Sequence, residues 1–87
     1  MPKFLVIHPV SRKMMEANLN IPPEENKLVI ELRSHCSNDA YWTRSINVPE
    51  LEKMFCEWNA KDAESIQKIL DTADWLATEG IYEMQSV

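Results

Sequence analysis

Cysteine is scarce in this chain, which has two cysteines among its 87 residues and no CxxC pair. Neither Cys36 nor Cys56 has another cysteine at metal-ligand spacing, which excludes zinc-finger and thioredoxin-like sites. Both lie in apolar patterns, so we expect two buried thiols that act as small hydrophobic residues. A reactive or metal-binding thiol is the alternative.

Basic residues are also few, nine against 14 acidic ones, and the formal net charge is −5. They are scattered from Lys3 to Lys68, whereas binding to a phosphate backbone needs a clustered basic face. We therefore expect no nucleic-acid partner. No apolar run approaches the ~20 residues of a membrane span, and the run before Pro9 is too short for a signal sequence. A reducing cytoplasm is the expected location.

The chain does have enough apolar sequence for one small core. Apolar residues make up 45% of it, and three are tryptophan, a composition typical of a globular domain. We expect a single domain over residues 1–87. A chain of this length buries only about two thirds of its unfolded surface, so association with a second copy would stabilise its marginal core.

The clearest pattern lies between Met54 and Leu70, where the period of the apolar residues changes from two to nearly four. A strand therefore leads directly into an amphipathic helix. Asp62 is expected to cap this helix, which carries Trp75 and Leu76 near its end.

Three further strands and one further helix are predicted around this unit. The predicted strands cover residues 4–8, 41–48, 54–58 and 81–87, and the first helix covers about 23–37. Residues 11–21 are expected to form a loop with one helical turn. The order strand, helix, strand, strand, helix, strand indicates an α+β fold, a ferredoxin-like sandwich with an antiparallel sheet in the order 4-1-3-2.

One face of this sheet should lack a helical cover. Alternation places Phe55, Glu57 and Asn59 away from the helices, yet the first strand is apolar on both sides. A second copy of the chain is the simplest cover for an apolar sheet face. We therefore expect a homodimer, packed through the open face as a dimeric α+β barrel.

Three stretches between Trp42 and Glu83 form one sequence pattern: W-x-x-S, F-C-x-W-x-A-x-D-A-E-x-I and I-x-E. Its residues are Trp42, Ser45, Phe55, Cys56, Trp58, Ala60, Asp62, Ala63, Glu64, Ile66, Ile81 and Glu83. This pattern resembles a family of small bacterial and archaeal proteins of largely unknown function. KFLVIH, ending at His8, is similar to the family's first strand. The resemblance implies ferredoxin-like subunits paired as dimers, and some members of the family bind nickel.

Three side chains form a candidate site. We expect the first and third strands to run parallel, so that His8 and Glu57 lie at one end of the sheet. Glu83, near the start of the antiparallel fourth strand, should lie at that end too, and strand parity has all three facing away from the helices. One imidazole and two carboxylates suit nickel or another divalent metal, and could also perform acid–base chemistry. Alternatively, the carboxylates are solvated or paired with Arg44 or Lys53, and His8 forms a hydrogen bond within the interface.

Three functions stay open at this point. A metal-binding protein would hold nickel or zinc through His8. A small enzyme of the dimeric α+β barrel type, such as an isomerase or oxygenase, would have a deep closed pocket behind the open face. An interaction module would have only a flat, apolar dimer surface.

Overall fold

The fold was analysed in a computed structural model that describes residues 1–18 and 20–87. The strands are β1 (Lys3–Pro9), β2 (Ala40–Val48), β3 (Lys53–Ala60) and β4 (Gly80–Met84). The helices are α1 (Arg12–Asn18), α2 (Lys27–Ser34) and α3 (Ala63–Leu70), with short 3-10 turns at Pro23–Glu25 and Pro49–Leu51. No helix in the described part of the chain is long and apolar enough to cross a membrane.

The four strands form one antiparallel sheet in the order β2-β3-β1-β4. Counted from the other edge this is 4-1-3-2, so the predicted order and the α+β class are confirmed. The fold is consistent with a ferredoxin-like sandwich. Strand β1, which is apolar on both faces, lies in the middle of the sheet. Its backbone N–H and C=O groups pair with β3 on one edge and with β4 on the other.

The predicted direction of β3 relative to β1 was wrong. The two strands are antiparallel, with Leu5 opposite Glu57 and His8 opposite Met54. The reason lies in the connections, since the crossover through α2 leaves β1 and β2 parallel. The tight turn after β2 then reverses the chain, so β3 must run against both of its neighbours.

Helix α1 lies in the stretch that was predicted to be a loop. Ser11 begins it, because its Oγ accepts a hydrogen bond from the Met14 amide at 3.1 Å, and the buried Met15 holds it against the molecule. Helix α2 begins later than predicted, because the Asn26 side chain caps the Leu28 and Val29 amides. Both starts follow from capping by a polar side chain rather than from apolar spacing.

The cap of α3 is as predicted. Asp62 Oδ1 accepts from the Ser65 amide at 2.8 Å, and the helix buries Ile66, Ile69 and Leu70. It ends at Leu70, before Trp75, with Asp71 as its C-cap; just beyond, Thr72 Oγ1 donates to the Ile69 carbonyl. Trp75 and Leu76 therefore lie in the segment that leads to β4.

The sheet has a helix face and an open face. Phe4, Val6, Trp58 and Ile66 belong to the core between the sheet and the helices. The open face is the opposite surface, and its apolar side chains are half-buried or exposed. They are Leu5, Ile7, Tyr41, Ile46, Phe55 and Tyr82. Glu57 and Asn59 share this face, as predicted.

Candidate functional site

His8 lies on the helix face of the sheet, not on the open face where it was predicted. Side chains alternate along a strand, so His8 lies on the same face of β1 as Phe4 and Val6, which are core residues. Only 1% of His8 is exposed. Its Nδ1 lies 2.8 Å from the Ala77 carbonyl oxygen and 3.3 Å from Thr78 Oγ1. His8 therefore belongs to the packed interior.

Glu57 and Glu83 do not join His8. Glu57 is on the open face, where Arg44 Nε lies 2.7 Å from its Oε2 and the hydrogen bond from Arg44 lowers the pKa of the carboxyl. Glu83 is exposed on the edge strand, opposite Phe4. Phe4 precedes His8 by four residues, about 13 Å along a strand.

The three predicted ligands therefore do not fit one metal ion. Within residues 1–18 and 20–87, no group of three His, Cys, Asp or Glu residues is placed to hold one. The pairing of Glu57 with Arg44 agrees with the alternative interpretation of these carboxylates.

His8 instead lines a pocket of about 240 Å³ between the helix face of the sheet and the segments that cover it. We call it the His8 pocket. Its floor is formed by β1 and β3 and its walls by α1, α2 and the segment after α3. The side chains that matter most to its chemistry are His8, Met15, Val29, Trp42, Cys56 and Trp58. Trp75 also lines it, so every tryptophan of the chain contributes to its surface.

The imidazole of His8 presents a free hydrogen-bond acceptor. A carbonyl oxygen can only accept, so the contact with Ala77 places the proton on Nδ1 and leaves the lone pair on Nε2. No residue in the described ranges donates to Nε2. Burial lowers the pKa of His8 below its ordinary value of 6.5, so the ring is neutral at pH 7.

Trp58 presents an unused hydrogen-bond donor. Only 1% of the residue is exposed, and its Nε1 has no hydrogen-bond partner among the described residues. A buried polar group left unpaired costs about 1–3 kcal/mol, and native proteins satisfy most such groups. The accessible surface of this nitrogen is below 1 Å², so it is enclosed by the protein.

Cys56 lies on the pocket floor as a protonated thiol. Ser45 Oγ donates to its Sγ at 2.9 Å, and burial raises the pKa of the thiol to about 11. The predicted burial is correct for Cys56, whereas Cys36 is half-buried. At neutral pH Cys56 is not the thiolate that a nucleophile or soft metal ligand requires.

No Asp, Glu, Lys or Arg is among the pocket-lining residues of the described chain. The Arg33 guanidinium stacks over the ring of Trp42, one of the lining residues, at 4.7 Å. The lining is mainly apolar and carries a neutral imidazole. The free imidazole nitrogen can accept a hydrogen bond or a proton.

Sequence reasoning missed this pocket, although two signals pointed to it. Trp42 and Trp58 both fall on the helix face and lie opposite each other, which puts two large indoles under the helices. Met14 and Met15 lie in the stretch that was predicted to be a loop with one helical turn, and they form part of one wall. Comparisons with protein-family models, curated proteins and solved structures found no match to this chain, so the predicted family resemblance stays a prediction.

Proposed function

We propose that this protein binds a small uncharged molecule in the His8 pocket. The observation that carries the proposal is the pocket itself, about 240 Å³ in volume and lined mainly by apolar and aromatic side chains, with no Asp, Glu, Lys or Arg among its lining residues in the described chain. The imidazole of His8, which is neutral at pH 7, also lines it.

The size of the pocket suits a molecule of one or two rings. Ligand sites of drug-sized molecules measure about 300–1,000 Å³, and a dry apolar cavity of about 150 Å³ admits benzene. At about 240 Å³, the His8 pocket lies between these values. Its tryptophan and methionine side chains offer the flat and polarizable contacts that favour a ring.

Binding of ethylbenzene, an uncharged probe without polar groups, is expected to raise the melting temperature of the protein. At ten times the dissociation constant the gain is about 1.4 kcal/mol, which corresponds to roughly 5–10 °C for a domain of this size. Val29→Trp should abolish the shift, since Val29 lines the pocket and the larger ring would fill it. Differential scanning calorimetry measures both.

Ile30→Trp is the matched control, because Ile30 is the neighbouring residue of α2, is 49% exposed and is not among the pocket-lining residues. This variant should keep the full shift. An equal shift in both variants, or none in the unmodified protein, would refute the pocket as a binding site.

Nickel binding stays a prediction that now depends on His8 alone. His8 Nε2 has a free lone pair, but Glu57 and Glu83 do not reach it, and a single imidazole is a weak site for a divalent ion. If the ion binds there, His8→Ala should abolish stoichiometric uptake in calorimetric titrations of untagged protein, and Glu57→Gln should not. Equal affinities in all three proteins would remove His8 as the ligand.

We also propose that two copies associate through the open face. Exposed large apolar side chains gather there, with Tyr41, Ile46 and Tyr82 all more than 40% exposed. Two of the charged residues on this surface, Arg44 and Glu57, neutralise each other in an ion pair, and Lys3 also lies on it, opposite Asn59. Such a face fits a second copy of itself, and the His8 pocket, on the other side of the sheet, would stay accessible.

The remaining surface favours no other macromolecule. The net charge of −5 and the scattered lysines and arginines do not provide the basic face that nucleic acid requires. Both thiols are free, which suits the proposed reducing cytoplasm.

A further inference from the structure

The floor of the His8 pocket is longer than it is wide, and its two ends differ in burial. We propose that the ligand of this pocket is an uncharged aromatic compound that carries an unbranched alkyl chain. The ring lies on the tryptophan side of the floor, and the chain extends past Leu28 towards the surface. This inference rests on the proposed function and specifies the class of ligand.

The strand register gives the length of the floor. Trp58, Cys56 and Met54 alternate along β3 on its helix face, and all three line the pocket. Four residues of a strand span about 13 Å, whereas a sphere with the volume of this pocket, about 240 Å³, would be only about 8 Å across. The pocket is therefore elongated along β3, and a long, narrow molecule fills it better than a round one.

One end of this floor is buried and the other reaches the surface. Trp58 and Cys56 are only 1% and 3% exposed, and Ala60, the next residue of β3 on the same face, is fully buried. Met54 is half-buried, and Asn47, which lies opposite it on β2 and also lines the pocket, is exposed. We call these the buried end, at Trp58, and the open end, at Met54.

The buried end offers two indole surfaces. Trp42 and Trp58 lie opposite each other in the register, and both line the pocket. The last turn of α2 covers this end, since Arg33 stacks over the Trp42 ring at 4.7 Å. Aromatic rings pack on indoles in offset or edge-to-face geometry, so the ring of the ligand belongs at this end.

The open end is walled by Met14 and Leu28. Helix α1 is held beside the turn after β2, where Arg12 Nε donates to the Pro49 carbonyl at 3.0 Å, so its Met14 lines the pocket near this end. Leu28 lines it from the first turn of α2, opposite to the turn that carries Arg33. Met14 and Leu28 are 49% and 39% exposed. An alkyl chain that extends here covers apolar side chains that otherwise contact water.

Three hydrocarbons test the inference on the unmodified protein in calorimetric titrations. They are ethylbenzene, n-butylbenzene and tert-butylbenzene, the branched isomer of n-butylbenzene. Each buried methylene group should tighten binding about 4-fold, the equivalent of ~0.8 kcal/mol, so n-butylbenzene should bind roughly 15-fold more tightly than ethylbenzene. tert-Butylbenzene has as many carbon atoms as n-butylbenzene but is too short to reach the open end. It should bind no more tightly than ethylbenzene.

Leu28→Ser tests where the chain lies. This variant should bind ethylbenzene like the unmodified protein, but the advantage of n-butylbenzene over ethylbenzene should fall at least about 3-fold. Ile30→Ser is the matched control, because Ile30 is also exposed on α2 and is not among the pocket-lining residues. It should keep the full advantage. If Leu28→Ser fails to fold, the two butyl isomers on the unmodified protein decide alone.

Equal affinity of the two butyl isomers, or tighter binding of the branched one, would overturn the inference. So would an advantage of n-butylbenzene that Leu28→Ser leaves unchanged. Ethylbenzene tests the proposed function separately. If ethylbenzene binds and n-butylbenzene gains nothing over it, the pocket stays a binding site and only this class of ligand is removed. If none of the three binds, the proposed function fails together with the inference.

Discussion

Ile46→Glu is expected to convert a dimer of twice the 10.1 kDa chain mass into a monomer. Ile46 is 44% exposed on the open face, opposite Phe55, so a glutamate there is solvated in the monomer and leaves the fold intact. A two-fold interface contains the substitution twice. Burying an unpaired carboxylate costs several kcal/mol, so the dissociation constant should rise by at least about 1,000-fold.

Ile30→Glu provides the control, because Ile30 is similarly exposed, at 49%, but lies on α2, away from the open face. Sedimentation at micromolar concentration should show a dimer for the unmodified protein and for this variant, and a monomer for Ile46→Glu. A monomer for the unmodified protein would refute the proposed association. So would a dimer that survives Ile46→Glu.

Acidification from about pH 7.5 to pH 5 is expected to destabilise the protein through His8. Burial lowers the pKa of His8 in the folded state, whereas in the unfolded chain it is about 6.5. The unfolded state therefore takes up the proton first as the pH falls. The stabilisation is complete above about pH 6.5 and is lost towards the lower, folded-state pKa, by up to about 1.4 kcal/mol per pH unit.

His8→Gln should flatten this dependence, since an amide can still donate to the Ala77 carbonyl but does not titrate. His35→Gln is the control, because it removes the other histidine, which is exposed at the end of α2. Urea denaturation of the three proteins at several pH values measures the free energy of unfolding. A slope that persists in His8→Gln would mean that another group causes it.

The fold was largely predictable because its signals are local. An unbroken apolar run located β1, aromatic and β-branched residues located β2, and alternation located β3, while the carboxylate of Asp62 located the start of α3. The errors lie at the helix boundaries, where the hydrogen bond of one polar side chain can set the first residue of a helix. Ser11 caps the start of α1 and Asn26 caps the start of α2. Thr72 Oγ1 donates to the Ile69 carbonyl next to the end of α3.

The site was not predictable in the same way, because it depends on which strands face each other and in which direction. Two steps were wrong. A parallel β1 and β3 brought His8 and Glu57 to one end of the sheet, whereas the strands are antiparallel. His8 was also placed on the open face, whereas it pairs with Met54 on the helix face and Glu57 pairs with Leu5 on the open face. The His8 pocket also requires Trp75 to lie beyond α3, and the helical spacing of the sequence placed it within the helix.

All three tryptophans line one pocket, so the protein contains an intrinsic fluorescent probe of that pocket. Its intrinsic fluorescence arises from indoles that line the His8 pocket. A molecule that enters the pocket changes both the polarity around these indoles and the quenching of their fluorescence. The proposed association through the open face would take place on the other side of the sheet, away from these rings. Tryptophan emission and light scattering would therefore separate pocket occupancy from self-association in one unlabelled sample.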